Sequence, residues 1–252
     1  MAHPGAPTVS SPQSLQPRAW RLGESPPPPP GATAHPLLLL LDRRDPLVAA
    51  APQALLATLS AAERQRHAAC RQRADQERFL TGRVALRRLL GQWLGQPPAT
   101  VALEVGPGGK PRCADGPGFN LSHSGDLILL AFHGGGEVGV DVERARPDID
   151  WCAIAERVFP PTLTAALEHL PPEERDGAFL RAWCRLEARL KARGEGLSGL
   201  ERLRREAPAA LAPETLWDVA VPPGYAAAVA LETPLRAHSA GVAGGDHPSP
   251  PA

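Results

Sequence analysis

Two pairs of residues in the second half of the chain have spacings suited to chemistry on phosphates. Asp141 and Glu143 lie two apart in Gly139-Val-Asp-Val-Glu143. Residues two apart in a strand project from one face, so these carboxylates stand side by side. Val138, Val140 and Val142 then face the other way, into a core. Adjacent carboxylates repel unless something positive lies between them, and a hard divalent cation such as Mg²⁺ suits such oxygen donors. For the pentapeptide alone, an acidic strand end neutralised by Arg144 and Arg146 is the plainer alternative. Glu187 and Lys191 lie four apart in Trp183-Cys-Arg-Leu-Glu-Ala-Arg-Leu-Lys191. On a helix they share a face, where the bland reading is a surface ion pair worth about 0.3–0.5 kcal/mol. Leu180, Trp183, Leu186 and Leu190 form the stripe that packs this helix, and Glu187 lies beside it. A third element, Asn120-Leu-Ser-His-Ser-Gly125, runs from a strand into a turn. Ser122, His123 and Ser124 place hydroxyl and imidazole groups at a bend where backbone N–H groups help hold a phosphate. A plain polar turn is the alternative. A Ser-His hydrolase triad is set aside, because no Gly-x-Ser-x-Gly elbow occurs.

These residues need strands and helices to hold them. Leu37–Leu41 reads as a buried strand, and Ser60-Ala-Ala-Glu63 is a capping box that starts a helix. A longer helix over 75–94 follows from the helical spacing of Phe79, Leu80, Val84, Leu86, Leu89, Leu90 and Trp93. Residues 101–105, 119–122, 127–132 and 138–142 read as strands, and 106–109 as a turn. Helical stretches cover 150–158, 162–170 and 173–193, the last ending at Gly194. Two closing strands follow at 215–221 and 225–231. Strands and helices mix in each half, which gives an α+β fold compatible with two similar subdomains, 37–134 and 135–235. Residues 1–36 hold ten prolines. That composition predicts a disordered or polyproline-II leader, and 236–252 a matching disordered tail.

The chain has 252 residues and equal numbers of basic and acidic side chains, 27 each. A zero balance argues against a generic binder of nucleic acid or of an anionic membrane. No apolar run approaches the ~20 residues of a membrane helix, and no secretory signal is visible. The four cysteines form neither a CxxC pair nor a zinc spacing, which fits reduced thiols in the cytoplasm. Of the 27 basic residues only two are lysine, Lys110 and Lys191.

Taken in order, the motifs resemble the 4′-phosphopantetheinyl transferases of the larger, pseudo-dimeric type, which activates nonribosomal peptide and polyketide synthases. The likeness covers most of residues 60–231. Arg78-Phe-Leu-Thr-Gly-Arg83 with Leu86 and Arg87 is similar to the family's first helix motif, and Gly109-Lys110-Pro111 to its Gly-Lys-Pro turn. Asn120–Gly125, Gly139–Glu143 and Trp183–Lys191 resemble its three remaining motifs. Gly194–Ser198 and Pro223-Gly-Tyr225 are similar to the loop and strand that follow. The resemblance implies transfer of the phosphopantetheine arm of coenzyme A to a serine of an apo acyl or peptidyl carrier protein, releasing adenosine 3′,5′-bisphosphate. It implies a monomer with the active site between two α+β subdomains. Asp141, Glu143 and Glu187 would bind Mg²⁺, and Glu187, directly or through a water on the metal, would act as base. Lys191 would contact the reacting phosphate or protonate the leaving group. Lys110, Ser122 and His123 would hold coenzyme A, with Arg78 and Arg83 as further phosphate ligands. The sequence departs from the pattern at Cys184 and at Arg185-Leu186, neither of which removes a metal ligand. A catalytically silent binder of coenzyme A or carrier protein, and a Mg²⁺-dependent phosphohydrolase, are the rival readings. Both lysines fall on motif positions, as expected where a compact ammonium or a mobile proton is needed and a planar guanidinium will not serve.

Overall fold

The segment Leu127–His133 is buried at every position. A strand that is apolar on both faces needs a packed layer on each side, and the rest of the fold supplies them. The computed structural model describes residues 14–146, 150–199, 201 and 215–232. In chain order the strands and α-helices are β1 (Ser14–Leu15), β2 (Arg18–Ala19), β3 (Leu37–Asp42), α1 (Pro46–Ala50), α2 (Pro52–Leu56), α3 (Ala61–Ala69), α4 (Arg73–Leu94), β4 (Glu104–Val105), β5 (Pro111–Arg112), β6 (Gly118–Ser124), β7 (Leu127–His133), β8 (Glu137–Arg144), α5 (Trp151–Val158), α6 (Pro161–Glu168), α7 (Pro172–Arg193), β9 (Leu216–Val219) and β10 (Tyr225–Glu232). One sheet has the order β2-β3-β7-β6 and a second has β1-β9-β10-β8, with β4 and β5 as a separate small ladder. The mixture of helix and sheet is the expected α+β class.

Side chains alternate across β7 and divide the core. Ile128, Leu130 and Phe132 pack with Leu39, Leu41, Val84, Leu86 and Leu89 beneath α4. Leu127, Leu129 and Ala131 pack with Val138, Val140, Val142, Trp217 and Val229 of the second sheet. The layers therefore run α4, first sheet, second sheet, α7. Helices α4 and α7 are each 22 residues long and end on a left-handed glycine, Gly95 (φ 64°) and Gly194 (φ 70°). The capping box forms as expected: the Ser60 hydroxyl accepts the Glu63 N–H at 3.2 Å and the Glu63 carboxylate accepts the Ser60 N–H at 2.9 Å.

Residues 14–36 correct the expectation of a disordered leader. β1 pairs in parallel with β9, and β2 in parallel with β3, so this segment enters both sheets. Trp20 and Leu22 are 2% and 1% exposed. The reason is distribution: the proline run begins at Pro26, whereas residues 14–24 carry Leu15, Trp20 and Leu22, apolar surface enough to hold the chain down. The proline-rich stretch is then strapped by its carbonyls, which need no N–H of their own. Trp93 Nε1 donates to Pro27 O at 2.8 Å, Gly134 N to Gly31 O at 3.1 Å, and His133 Nε2 to Thr33 O at 2.9 Å. The expected strand over 101–105 pairs only at Glu104–Val105. Val101 instead packs under α4, where its carbonyl accepts Arg87 Nη1 at 3.1 Å. The expected tail over 236–252 lies outside the described residues. Among those described, no helix is long and apolar enough to cross a membrane.

Candidate active site

Strands β6 and β8 belong to different sheets, yet side chains join them. Asn120, Ser122 and Ser124 recur at the strand period of two and reach across in register. Asn120 Oδ1 accepts Val140 N at 3.0 Å, Ser122 Oγ donates to Asp141 Oδ1 at 2.9 Å, and Ser124 Oγ donates to Glu143 Oε2 at 2.7 Å. The serines thus fix the two carboxylates from one side.

Helix α7 covers them from the other. The seam between α7 and the second sheet is built of small residues: Cys184, Ala188 and Ala192 against Ala226, Ala228 and Ala230. Gly139 completes it, because a Cβ there would lie 2.0 Å from Ala188 O and 2.2 Å from Ala192 N. Such close approach of backbone to backbone is what glycine permits. It brings Lys191 Nζ to 2.6 Å from Asp141 Oδ1 and 3.3 Å from Ser122 Oγ. The face of β8 that carries Asp141 is therefore a helix–sheet interface, and Asp141 is 2% exposed.

The electrostatics follow from this crowding. Burial raises the Glu143 carboxyl above its ordinary range, with repulsion from Asp141 adding to it and the Ser124 bond opposing it. Burial also raises Glu187, where the Lys191 ammonium opposes the shift and Asp141 and Glu143 reinforce it. The Cys184 thiol is pushed far up by burial and then by the Asp141 charge. His123 is solvent-exposed at its edge but partly desolvated by the surrounding chain, which lowers its pKa, and the charges of Arg78 and Lys191 lower it further.

A raised carboxyl means that the folded state holds its proton more tightly than the unfolded chain does. The metal-free protein therefore loses stability as pH rises from the ordinary carboxylate range through the raised values of Glu143 and Glu187, and regains it on acidification. Glu187→Gln removes one of these charges. The metal-free variant is expected to melt a few degrees above the parent at neutral pH. Its melting point is also expected to depend less steeply on pH across that window. Thermal scans over a pH series check both, and a lower melting point at neutral pH would contradict the repulsion described.

Among the described residues, no group of three or more His, Cys, Asp or Glu side chains is placed to hold a metal ion. The donor set nevertheless fits a hard divalent cation. Asp141 Oδ2 is buried and has no hydrogen-bond partner, which in a native site calls for an ion or a water. Two further carboxylates, raised by burial and mutual repulsion, stand in its field. Oxygen donors of this kind are those of Mg²⁺.

Asp141, Glu143, Glu187, Lys191 and Ser122 are thus brought together. Arg78 lies at the edge, where Nη1 donates to Gly125 O at 2.6 Å in the turn after His123. Arg83 does not join them: its guanidinium lies 5.8 Å over the Phe79 ring and 4.0 Å from Glu63 of α3. Lys110 does not join them either. Its Nζ donates to Glu137 Oε2 at 2.7 Å, Val138 O at 2.8 Å and Ala192 O at 3.2 Å. These three oxygens take all three N–H groups of the ammonium. Three further contributors escaped the sequence reading: Asn120 as a strand bridge, Cys184 beside Asp141, and Tyr225. The Tyr225 hydroxyl accepts Asp126 N–H at 3.0 Å, and a Cβ on Gly125 (φ 56°) would lie 2.4 Å from it. Only the period of two in Asn120-x-Ser122-x-Ser124 was available as a signal.

The buried Asp141, two half-buried carboxylates and an adjacent lysine thus gather where α7 meets β8, in an α+β frame. Comparison with known proteins narrows this. The family described as "4′-phosphopantetheinyl transferase superfamily" matches residues 137–219, and "4′-phosphopantetheinyl transferase, N-terminal" matches 48–134. The 4′-phosphopantetheinyl transferase psf-1 of Bacillus pumilus is 34% identical over 176 residues, 65% of this chain and 74% of that one. HetI of Nostoc sp., also a 4′-phosphopantetheinyl transferase, is 38% identical over 156 residues, 60% of this chain and 66% of its own. The Synechocystis sp. protein slr0495 is 38% identical over 151 residues, 58% of this chain and 60% of its own. The chain thus spans less than two thirds of the length of HetI and slr0495. It belongs to the 4′-phosphopantetheinyl transferase superfamily.

Proposed function

We propose that the chain moves the phosphopantetheine arm of coenzyme A onto a serine of an apo acyl or peptidyl carrier protein, releasing adenosine 3′,5′-bisphosphate. The observation that carries this is the joint placement of Asp141, Glu143, Glu187 and Lys191, with Asp141 Oδ2 buried and unpartnered. Asp141, Glu143 and Glu187 would hold Mg²⁺, which supplies neutralisation of charge on the pyrophosphate oxygens. The carrier serine oxygen forms the new bond to the pantetheine-side phosphorus, and the bond from that phosphorus to the bridging oxygen breaks. The serine proton passes to the Glu187 carboxylate, a better acceptor for being partly desolvated. Lys191 faces the negative charge that grows on the departing bisphosphate. Ser122 and Ser124 keep Asp141 and Glu143 in place, and His123 and Arg78 flank the cluster as donors to the phosphates of coenzyme A. The four unpaired cysteines suit a reducing cytoplasm.

Product stoichiometry tests the reading. With Mg²⁺, coenzyme A and an apo carrier, one adenosine 3′,5′-bisphosphate is expected per carrier modified, and none without carrier. Bisphosphate released without carrier would instead identify a phosphohydrolase. Binding of coenzyme A with no turnover on any carrier would identify a silent binder.

A further inference from the structure

We propose that Lys110 is a positioning residue: its ammonium clamps the start of β8 to the end of α7 and so sets the distance between the Asp141–Glu143 pair and the Glu187–Lys191 pair. Each of its three N–H groups meets an oxygen from a defined place. Glu137 is the first residue of β8 and Val138 the second, while Ala192 lies in the last turn of α7. Lys110 itself follows the Pro107–Gly109 turn of the first half, so one side chain ties three pieces of chain together.

The surroundings are built for this. The side chain is 5% exposed. Burying an ammonium costs several kcal/mol unless every N–H is matched, and here every one is. Burial lowers the Lys110 pKa, and the Glu137 carboxylate holds it up against that. The last four carbonyls of a helix have no partner inside it, and Ala192 O is one of them. A cation there also complements the negative end of the helix dipole. The turn that delivers Lys110 is pressed onto the same helix end, since a Cβ on Gly108 would lie 2.2 Å from Gly194 O. Three converging oxygens in a closed space suit a compact ammonium, whereas a flat guanidinium needs a wider fork. A steric reason thus accompanies the rarity of lysine, which survives at only two of 27 basic positions.

The clamp stands on the geometry alone, whereas its effect on turnover rests on the transferase reading above. The test uses the full chain with Lys110→Met, Lys110→Arg and Glu137→Gln. Both lysine variants are expected to melt well below the parent, with Arg no better than Met. Where they turn over, kcat is expected to fall about tenfold to a hundredfold, because small misplacements of reacting groups are costly. The KM for coenzyme A is expected to stay within about threefold, as a residue that leaves substrate binding untouched requires. Glu137→Gln is expected to lower the melting point less, and to add little when combined with Lys110→Met. Lys110→Arg with parental melting and turnover would overturn the clamp. So would Lys110→Met with a parental melting point and a KM for coenzyme A raised tenfold, the mark of a phosphate ligand. If the lysine variants do not fold, Glu137→Gln decides: a lowered melting point supports the clamp and an unchanged one overturns it. Absence of turnover in the parent chain would defeat the transferase reading but leave the melting comparisons to decide the clamp.

Discussion

Asp141→Asn is expected to fold and to lose transfer by at least about a hundredfold to a thousandfold in kcat. The substitution keeps the shape of the side chain and an oxygen for the Ser122 hydroxyl. It removes the charge that Lys191 Nζ meets at 2.6 Å and the buried Oδ2 that has no other partner. It also relieves the repulsion that Asp141 exerts on Glu143 and Glu187, which offsets the loss of the ion pair in the metal-free protein. Two readouts separate site from fold. The rise in melting point that Mg²⁺ produces in the parent, through binding to the folded state only, should vanish in the variant. The melting point without Mg²⁺ should stay close to the parental one. A variant with kcat within tenfold of the parent, or with its Mg²⁺ response intact, would remove Asp141 from the metal assignment.

Trp20→Ala is expected to cost about 3–5 kcal/mol, the range for truncating a large buried aromatic. For a chain of this size that lowers the melting point by about 10 °C. Trp20 is 2% exposed, its N–H pairs with Leu40 O at 3.0 Å, and its indole donates to Ser25 O at 3.3 Å. Nearby, Leu22 N donates to Asp45 Oδ2 at 2.9 Å, so the segment is tied by polar as well as apolar contacts. Trp20 packs on the α4 side of the first sheet, away from Asp141. Activity per folded molecule should therefore be unchanged well below the melting point. An unchanged melting point would mean that residues 14–24 are dispensable after all.

The two pairs are legible in the sequence because strand and helix periods place them without help from the rest of the chain. Asp141 and Glu143 share a strand face whatever packs against it, and Glu187 and Lys191 share a helix face. The valines between the carboxylates do enter the core between the sheets. What the pairs have in common was not legible, because it depends on how closely α7 approaches β8. That distance is set by Gly139 and a seam of alanines scattered over three elements. Cys184 is a neighbour of Asp141 for the same reason. Lys110 illustrates a second limit. Nothing in a local sequence announces that three oxygens from β8 and α7 will converge on it. The proline count of residues 1–36 misled in a third way, since composition averages over a segment and Trp20 and Leu22 act singly.

The intact mass of an apo carrier protein, followed with this chain, coenzyme A and Mg²⁺ and again with a chelator, tests the central claim most directly. The expected result is a gain of one phosphopantetheine on the carrier with Mg²⁺ and none with the chelator. A carrier mass unchanged across a panel of acyl and peptidyl carriers, with the chain folded and Mg²⁺ present, would contradict it.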